Sequence, residues 1–199
     1  MADEKINENP KGFFFDQKAC IGCRTCQIAC KDKNDLSVGT LFRKVASFEV
    51  GSYPSAKIYH YSGSCNHCEN PACVAVCPNQ AMHIDQEDGT VQHDDSKCIG
   101  CEYCVKACPY GHPQYIEELK VVHKCDGCIG LRSVREKPAC VAACPMRALD
   151  FGPIGDLRAG HPDIVNQITI LPDSSQTNPS VAIEPRPAAL EPSYKQVIV

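Results

Sequence analysis

Sixteen of the 199 residues are cysteine, and all of them fall into four short groups. Cys20, Cys23, Cys26 and Cys30 form the first, and Cys65, Cys68, Cys73 and Cys77 the second. Cys98, Cys101, Cys104 and Cys108 form the third, and Cys125, Cys128, Cys140 and Cys144 the fourth. Thiolate is the soft ligand that iron–sulfur cubes require, and four thiolates complete the coordination of one cube. In the C-x2-C-x2-C-x3-C spacing of the first and third groups, three sulfurs converge from one tight turn. The fourth lies beyond their reach and serves a neighbouring cube. The sequence therefore predicts four 4Fe–4S clusters with all sixteen cysteines as ligands and no thiol left over.

Two other uses of cysteine compete. Disulfide scaffolds need an oxidising compartment and usually a secretory leader. Met1–Phe15 does not read as one, because Asp3, Glu4 and Glu8 occupy the place of a basic region and the apolar run is only Phe13–Phe15. Zinc ribbons use separated C-x2-C pairs, not four cysteines within eleven residues. Three groups also end in Cys-Pro (Pro78, Pro109, Pro145), which suits clusters; the first has Lys31 there instead. His67 reads as a surface or outer group, and His83, His93, His112 and His123 lack regular ligand spacing, so no histidine is expected to bind metal. Gly22 and Gly100 are expected to let backbone N–H groups approach cluster sulfur, with Ile21 and Ile99 excluding water.

The formal net charge of −4, with both signs mixed, gives no nucleic-acid footprint. No stretch reaches the roughly 18 apolar residues of a membrane span, so any membrane attachment must come through another subunit.

The elements that hold the thiols follow from patterning. Residues 1–11 read as a loose polar tail, and Gly12–Asp16 as a short buried strand. Leu41–Val50 and Ala56–Tyr61, with Gly51, Ser52 and Pro54 between, predict a hairpin that either covers the core or docks a partner. Ala81–Asp85 and Thr90–Asp94 flank Asp88-Gly89, a strong hairpin signal. Leu119–His123 reads as a strand, and Ile129–Lys137 as one or two helical turns. Beyond Gly152 lie seven of the fifteen prolines and no cysteine, which predicts an extended tail, disordered or wrapped around a partner.

An internal duplication bears on how the groups pair. Pro71–Pro78 (PACVAVCP) recurs as Pro138–Pro145 (PACVAACP), and Cys20-Ile21-Gly22-Cys23 recurs as Cys98-Ile99-Gly100-Cys101. The strand after the fourth group, Ala148–Phe151, matches the one after the second, and Phe13–Asp16 matches the strand before the third. These correspondences favour pairing the outer groups with each other around an inner pair. Pairing first with second and third with fourth also couples unlike types and stays open on spacing alone. The fold class expected is α+β: two interleaved ferredoxin-like modules (12–30 with 119–152, and 65–118), an inserted hairpin (31–64) and a tail (153–199).

On these motifs the sequence resembles the iron–sulfur subunit of the dimethyl sulfoxide reductase family. The resemblance runs through Gly12-Phe13-Phe14, Ser64–Cys73 (SCNHCENPAC), Cys108–Gly111, Pro113-Gln114-Tyr115, Lys124–Cys128 and Ala148–Ile154. It implies outer-with-outer pairing and four clusters in a row. Cys20, Cys23, Cys26 and Cys144 would hold the first, and Cys30, Cys125, Cys128 and Cys140 the next. Cys65, Cys68, Cys73 and Cys108 would hold the third, and Cys77, Cys98, Cys101 and Cys104 the last. Some relatives replace the residue matching Cys101 and carry a 3Fe–4S cluster; cysteine here implies 4Fe–4S throughout. The family further implies a molybdopterin-containing catalytic subunit next to the first cluster and a membrane anchor subunit that handles quinol. It implies co-export with the catalytic partner to the extracytoplasmic face, a cytoplasmic assembly being the alternative. The expected role is a non-catalytic relay of single electrons. A free-standing soluble polyferredoxin is the second reading, and an enzyme in its own right the third, disfavoured because sixteen ligands for four cubes leave no open iron.

Overall fold

The computed structural model describes residues 9–161 and 163–198, so residues 1–8 of the expected loose tail lie outside the described residues. The architecture is α+β, with short helices carrying cysteines and four small sheets. Among the described residues no helix is long and apolar enough to cross a membrane.

The outer frame begins with β1 (Lys11–Asp16), whose three phenylalanines are all buried. Helix α1 (Thr25–Lys33) follows the first thiols. β2 (Arg43–Val50) and β3 (Lys57–Ser64) pair antiparallel from Arg43↔Ser64 to Val50↔Lys57. Their inward residues, among them Val45, Phe48, Tyr59 and Tyr61, join the main core beneath the first and fourth groups.

The inner part carries α2 (Ala72–Ala75), then β4 (Met82–Ile84) and β5 (Val91–His93), paired antiparallel about the Asp88-Gly89 turn. Helix α3 (Tyr103–Ala107) packs on α2. β6 (Gln114–Ile116) and β7 (Val121–His123) form a further hairpin. This hairpin crosses the boundary expected between 118 and 119, and α1 likewise crosses the one between 30 and 31. The module edges read from sequence therefore shift: main-chain pairing and the helical ladder run through both points.

α4 (Ile129–Ser133) and α5 (Ala139–Ala142) flank the last cysteines, with α5 packed on α1. β8 (Leu149–Pro153) then returns antiparallel along β1, with Phe13 opposite Phe151 and Phe15 opposite Leu149. The repeat is thus visible in the sheets. β8 against β1 stands to the first and fourth groups as β4 against β5 stands to the second and third. The turn of the inner hairpin is tied to the outer frame. Asp88 accepts from the Thr90 N–H at 3.0 Å and from Thr90 Oγ1 at 2.6 Å, and it pairs with Arg132, whose side chain lies over the Phe151 ring.

The segment beyond 152 departs from expectation. It is not a free tail: after α6 (Ile154–Ala159), β9 (Val181–Glu184) inserts parallel to β1, and β10 (Lys195–Val197) extends the edge of β2. The cause is apolar content that proline density concealed. Val181, Ala182 and Ile183 are buried against the phenylalanines of β1. Three hydrogen bonds join Arg186 to Gln17 and Lys18, and Lys18 pairs with Glu184 at 2.8 Å. Gly12 makes the approach possible, because a Cβ there would stand 1.9 Å from the Ser180 carbonyl oxygen.

Ile183→Ala should therefore cost roughly 2–5 kcal/mol, read as a lower midpoint of anaerobic thermal unfolding. Gly12→Ala should displace β9 and open residues 163–190 to limited proteolysis; an unchanged cleavage pattern would show that this strand does not depend on the close approach.

Candidate iron–sulfur ligand sites

No two of the sixteen cysteines are joined in a disulfide. In the first group, Cys20 and Cys23 precede α1 while Cys26 and Cys30 lie on it, one turn apart. The third group repeats this, with Cys98 and Cys101 before α3, Cys104 on it and Cys108 at its end. Arg24 and Glu102 take left-handed backbone angles just before each helix, and Gly22 and Gly100 do so two residues earlier. Alternation of this kind curls backbone N–H groups around one point, an arrangement that favours bound anions. Cys73 and Cys140 sit on α2 and α5, with Cys77 and Cys144 just beyond.

The structure brings these thiols together across the groups. One cavity is lined by Cys20, Cys23, Cys26 and Cys144 with Ile21, Gly22, Pro145 and Leu149. Its counterpart is lined by Cys77, Cys98, Cys101 and Cys104 with Ile99, Pro78 and Met82. Their void spaces are nearly equal, about 330 and 320 Å³, as duplicated sites require. Elsewhere Cys30 has Cys140 and Cys128 as charge neighbours, and Cys125 has Cys30 and Cys140. Cys73 has Cys65, Cys108 and Cys68. These sets touch in sequence: Cys26 neighbours Cys140, Cys125 neighbours Cys65, and Cys73 shares an apolar cluster with Cys104.

The donor chemistry fits iron–sulfur cubes. Burial pushes the thiols of Cys30, Cys68 and Cys73 up to about 12, Cys104 to about 11, and Cys125 well above its ordinary range. Packed so closely, they ionise together only when a cation takes the place of their protons. Main-chain N–H groups already aim at sulfur: Met82 to Cys77 at 3.4 Å, Ala148 to Cys144 at 3.3 Å, and Gly127 to Cys125 at 3.4 Å.

Arg43 stands among three of the groups and is 1 % exposed. Its guanidinium donates to Ser62 and Ser64 and lies 4.5 Å from the Phe13 ring centre. Burial opposes its charge, but the sulfurs of Cys140, Cys125, Cys26 and Cys30 outweigh that and hold its pKa above the usual value. Ser62 Oγ, accepting from Arg43, has its own proton free for Cys26 Sγ at 3.3 Å. Cysteine spacing does not single out Arg43; a lone arginine on the inward face of a strand (positions 43, 45, 47) is the signal that could have found it.

Three details differ from expectation. His67 is fully buried, not at the surface, because it fills the space between Phe13 and Phe151. Its Nδ1 accepts from the Val91 N–H at 3.1 Å, so the proton is on Nε2, a buried donor with no protein acceptor beside the Cys65–Cys68 turn. Ile21 and Ile99 are 56 % and 62 % exposed, so they form cavity rims and do not seal them. Gly100 is required for more than closeness to sulfur: at φ +68° a Cβ would lie 2.6 Å from the Lys120 carbonyl oxygen, and at Gly22 it would strike the His60 ring.

Fold and thiol geometry together define an iron–sulfur protein of the 4Fe–4S type, and comparison with known families agrees. The 4Fe-4S dicluster domain family matches residues 56–154, and the 4Fe-4S binding domain family matches residues 17–35. The iron–sulfur subunit of the anaerobic dimethyl sulfoxide reductase of Escherichia coli K12 is 46% identical over 182 residues, covering 87% of this chain and 88% of its own length. A subunit of the sulfite dehydrogenase of Allochromatium vinosum is 38% identical over 163 residues, covering 71% and 68%. The thiosulfate reductase electron transfer subunit PhsB of Salmonella typhi is 44% identical over 142 residues, covering 69% and 72%. The protein is a member of the family of dimethyl sulfoxide reductase iron–sulfur subunits.

Gly22→Ala and Gly100→Ala should each lower iron and acid-labile sulfide in the anaerobically purified protein by about one cluster's worth, with the remaining clusters retained. Full iron content in both variants would show that these turns do not set the cavities.

Proposed function

We propose that this chain relays single electrons through four 4Fe–4S clusters to or from a catalytic partner subunit, and performs no substrate chemistry itself. One ligand set is Cys20, Cys23, Cys26 and Cys144, and the next is Cys30, Cys125, Cys128 and Cys140. The third is Cys65, Cys68, Cys73 and Cys108, and the fourth is Cys77, Cys98, Cys101 and Cys104. The observation that carries the reading is the two matching cavities, each assembled from cysteines of two different groups. The sheet pairing of β1 with β8 and β4 with β5 supports two ferredoxin-like modules, the outer enclosing the inner. The neighbour relations Cys26–Cys140, Cys125–Cys65 and Cys73–Cys104 support a linear order.

When bound, each cluster supplies a centre that gains or loses one electron. The residues of the chain set the cost of that charge. Arg43 compensates charge near the first three sets. Main-chain N–H groups and the buried His67 Nε2–H add hydrogen bonds that favour the reduced state. A pocket with a nucleophile or acid–base pair plays no part in this task.

The relatives are named as reductase and dehydrogenase subunits, which supports a large catalytic partner. We assign that partner to the molybdopterin-containing type, adjacent to the Cys20 set, with a membrane anchor that exchanges electrons with quinol at the Cys77 set. The assembly then lies on the membrane through its partners, on the extracytoplasmic face.

Anaerobic purification from the native source should yield this chain with a large molybdenum-containing subunit and four irons per cube for four cubes. A monodisperse monomer would favour the soluble polyferredoxin, and a markedly lower iron count would overturn the ligand sets. Arg43→Gln should lower the potentials of the first three clusters in EPR-monitored titration. A unit charge acting across about 7 Å at an effective dielectric near 20 is worth about 2 kcal/mol, roughly 100 mV per electron. Unchanged potentials with intact clusters would remove Arg43 from this role.

A further inference from the structure

Outside the thiol groups, one constellation has the chemistry of a metal site. His93 ends β5, His123 ends β7, and Asp95 opens the short turn after β5. The Asp95 carboxylate stands between the rings. Oδ1 lies 2.9 Å from His93 Nδ1 and 2.9 Å from His123 Nε2, and the ring centres are 5.4 Å apart. All three donor atoms fall within 4.8 Å of one another. They open on a groove of about 270 Å³ also lined by Gln92, Lys124 and Asp126.

Two imidazoles and a carboxylate are a common donor set for zinc-class ions, which bind such atoms at 2.0–2.2 Å in tetrahedral geometry. That geometry separates donors by about 3.3 Å. The two histidine–carboxylate distances are within a few tenths of an ångström of it, so only the imidazole nitrogens have to close in.

The second observation is the opposite edge of His93. Its side chain is 8 % exposed, and Nε2 is buried without a hydrogen-bond partner. The same residue lines the cavity of Cys77, Cys98, Cys101 and Cys104, where sulfur offers acceptors. With Nδ1 donating to Asp95, Nε2 keeps a lone pair that nothing satisfies, a cost of about 1–3 kcal/mol. With the proton on Nε2 that edge can donate to sulfur, but the Nδ1 lone pair then faces a carboxylate. A cation between them resolves both ends, and metal-bound histidines regularly donate their second N–H in this way.

We propose that His93, Asp95 and His123 bind one divalent transition-metal ion of the zinc class, with water completing its coordination. The inference rests on the cluster reading only for the sulfur acceptor at His93 Nε2; the three ligands stand without it.

The test is calorimetric titration of Zn2+ into the anaerobic, cluster-loaded protein after chelator treatment, with iron and sulfide measured alongside. One ion per chain is expected, held at least tenfold more weakly by Asp95→Asn and by His123→Asn, with iron content unchanged. Asp95 is exposed, so its substitution leaves the fold in place. No saturable binding, or equal binding by wild type and both variants, would overturn the site. Low iron with the variant-sensitive zinc site intact would support the metal site while counting against the four-cluster reading.

Discussion

The constraint behind the whole structure is electrostatic. Most of the sixteen thiols sit where burial disfavours their charge, yet ligation requires them ionised. A small protein meets this with three devices: cations at the metal, backbone N–H groups turned inward at left-handed positions, and one arginine sealed inside with them. The left-handed residues at Gly22, Arg24, Gly100 and Glu102 follow directly from this demand. So does the serine relay from Arg43 to Cys26, which spreads positive charge without adding a buried carboxylate to the region.

The rest of the fold makes those cavities rigid. Each helix is too short to be stable alone, and its position comes from what it packs against. The β2–β3 hairpin supplies Arg43, Ser62 and Ser64 as well as apolar cover, so it belongs to the ligand environment and not only to the frame. Asp88, reaching from the inner hairpin turn to Arg132, and Lys124, donating to the Val91 carbonyl, fasten the inner part to the outer. Such ties keep the distance between thiol sets fixed, and electron transfer depends steeply on distance.

Much of this was legible in the sequence. The cysteine spacing named the chemistry, and the Asp88-Gly89 turn placed β4 and β5. The duplication related strands after the second and fourth groups, which the sheets display as β4 and β8. What failed had physical reasons. Proline density beyond Gly152 outweighed the apolar run Val181–Ile183, whose burial needs β1 as a neighbour. His67 looked superficial because a polar residue in a tight turn gives no sign that two phenylalanines will enclose it. The convergence of His93 with His123 was hidden because two hairpins bring them together, and linear spacing carries no trace of that.

One consequence follows from the sheet that joins β8, β1 and β9. The strand rich in phenylalanine leaves the ribosome early, but both of its neighbours are made near the close of translation. Until then it is an unpaired apolar edge, the kind of segment that invites aggregation. The inner hairpin and its thiols, contiguous in sequence, can be complete well before that. Maturation of such a molecule is ordered by topology, from the middle outward, and the outermost cavity closes last.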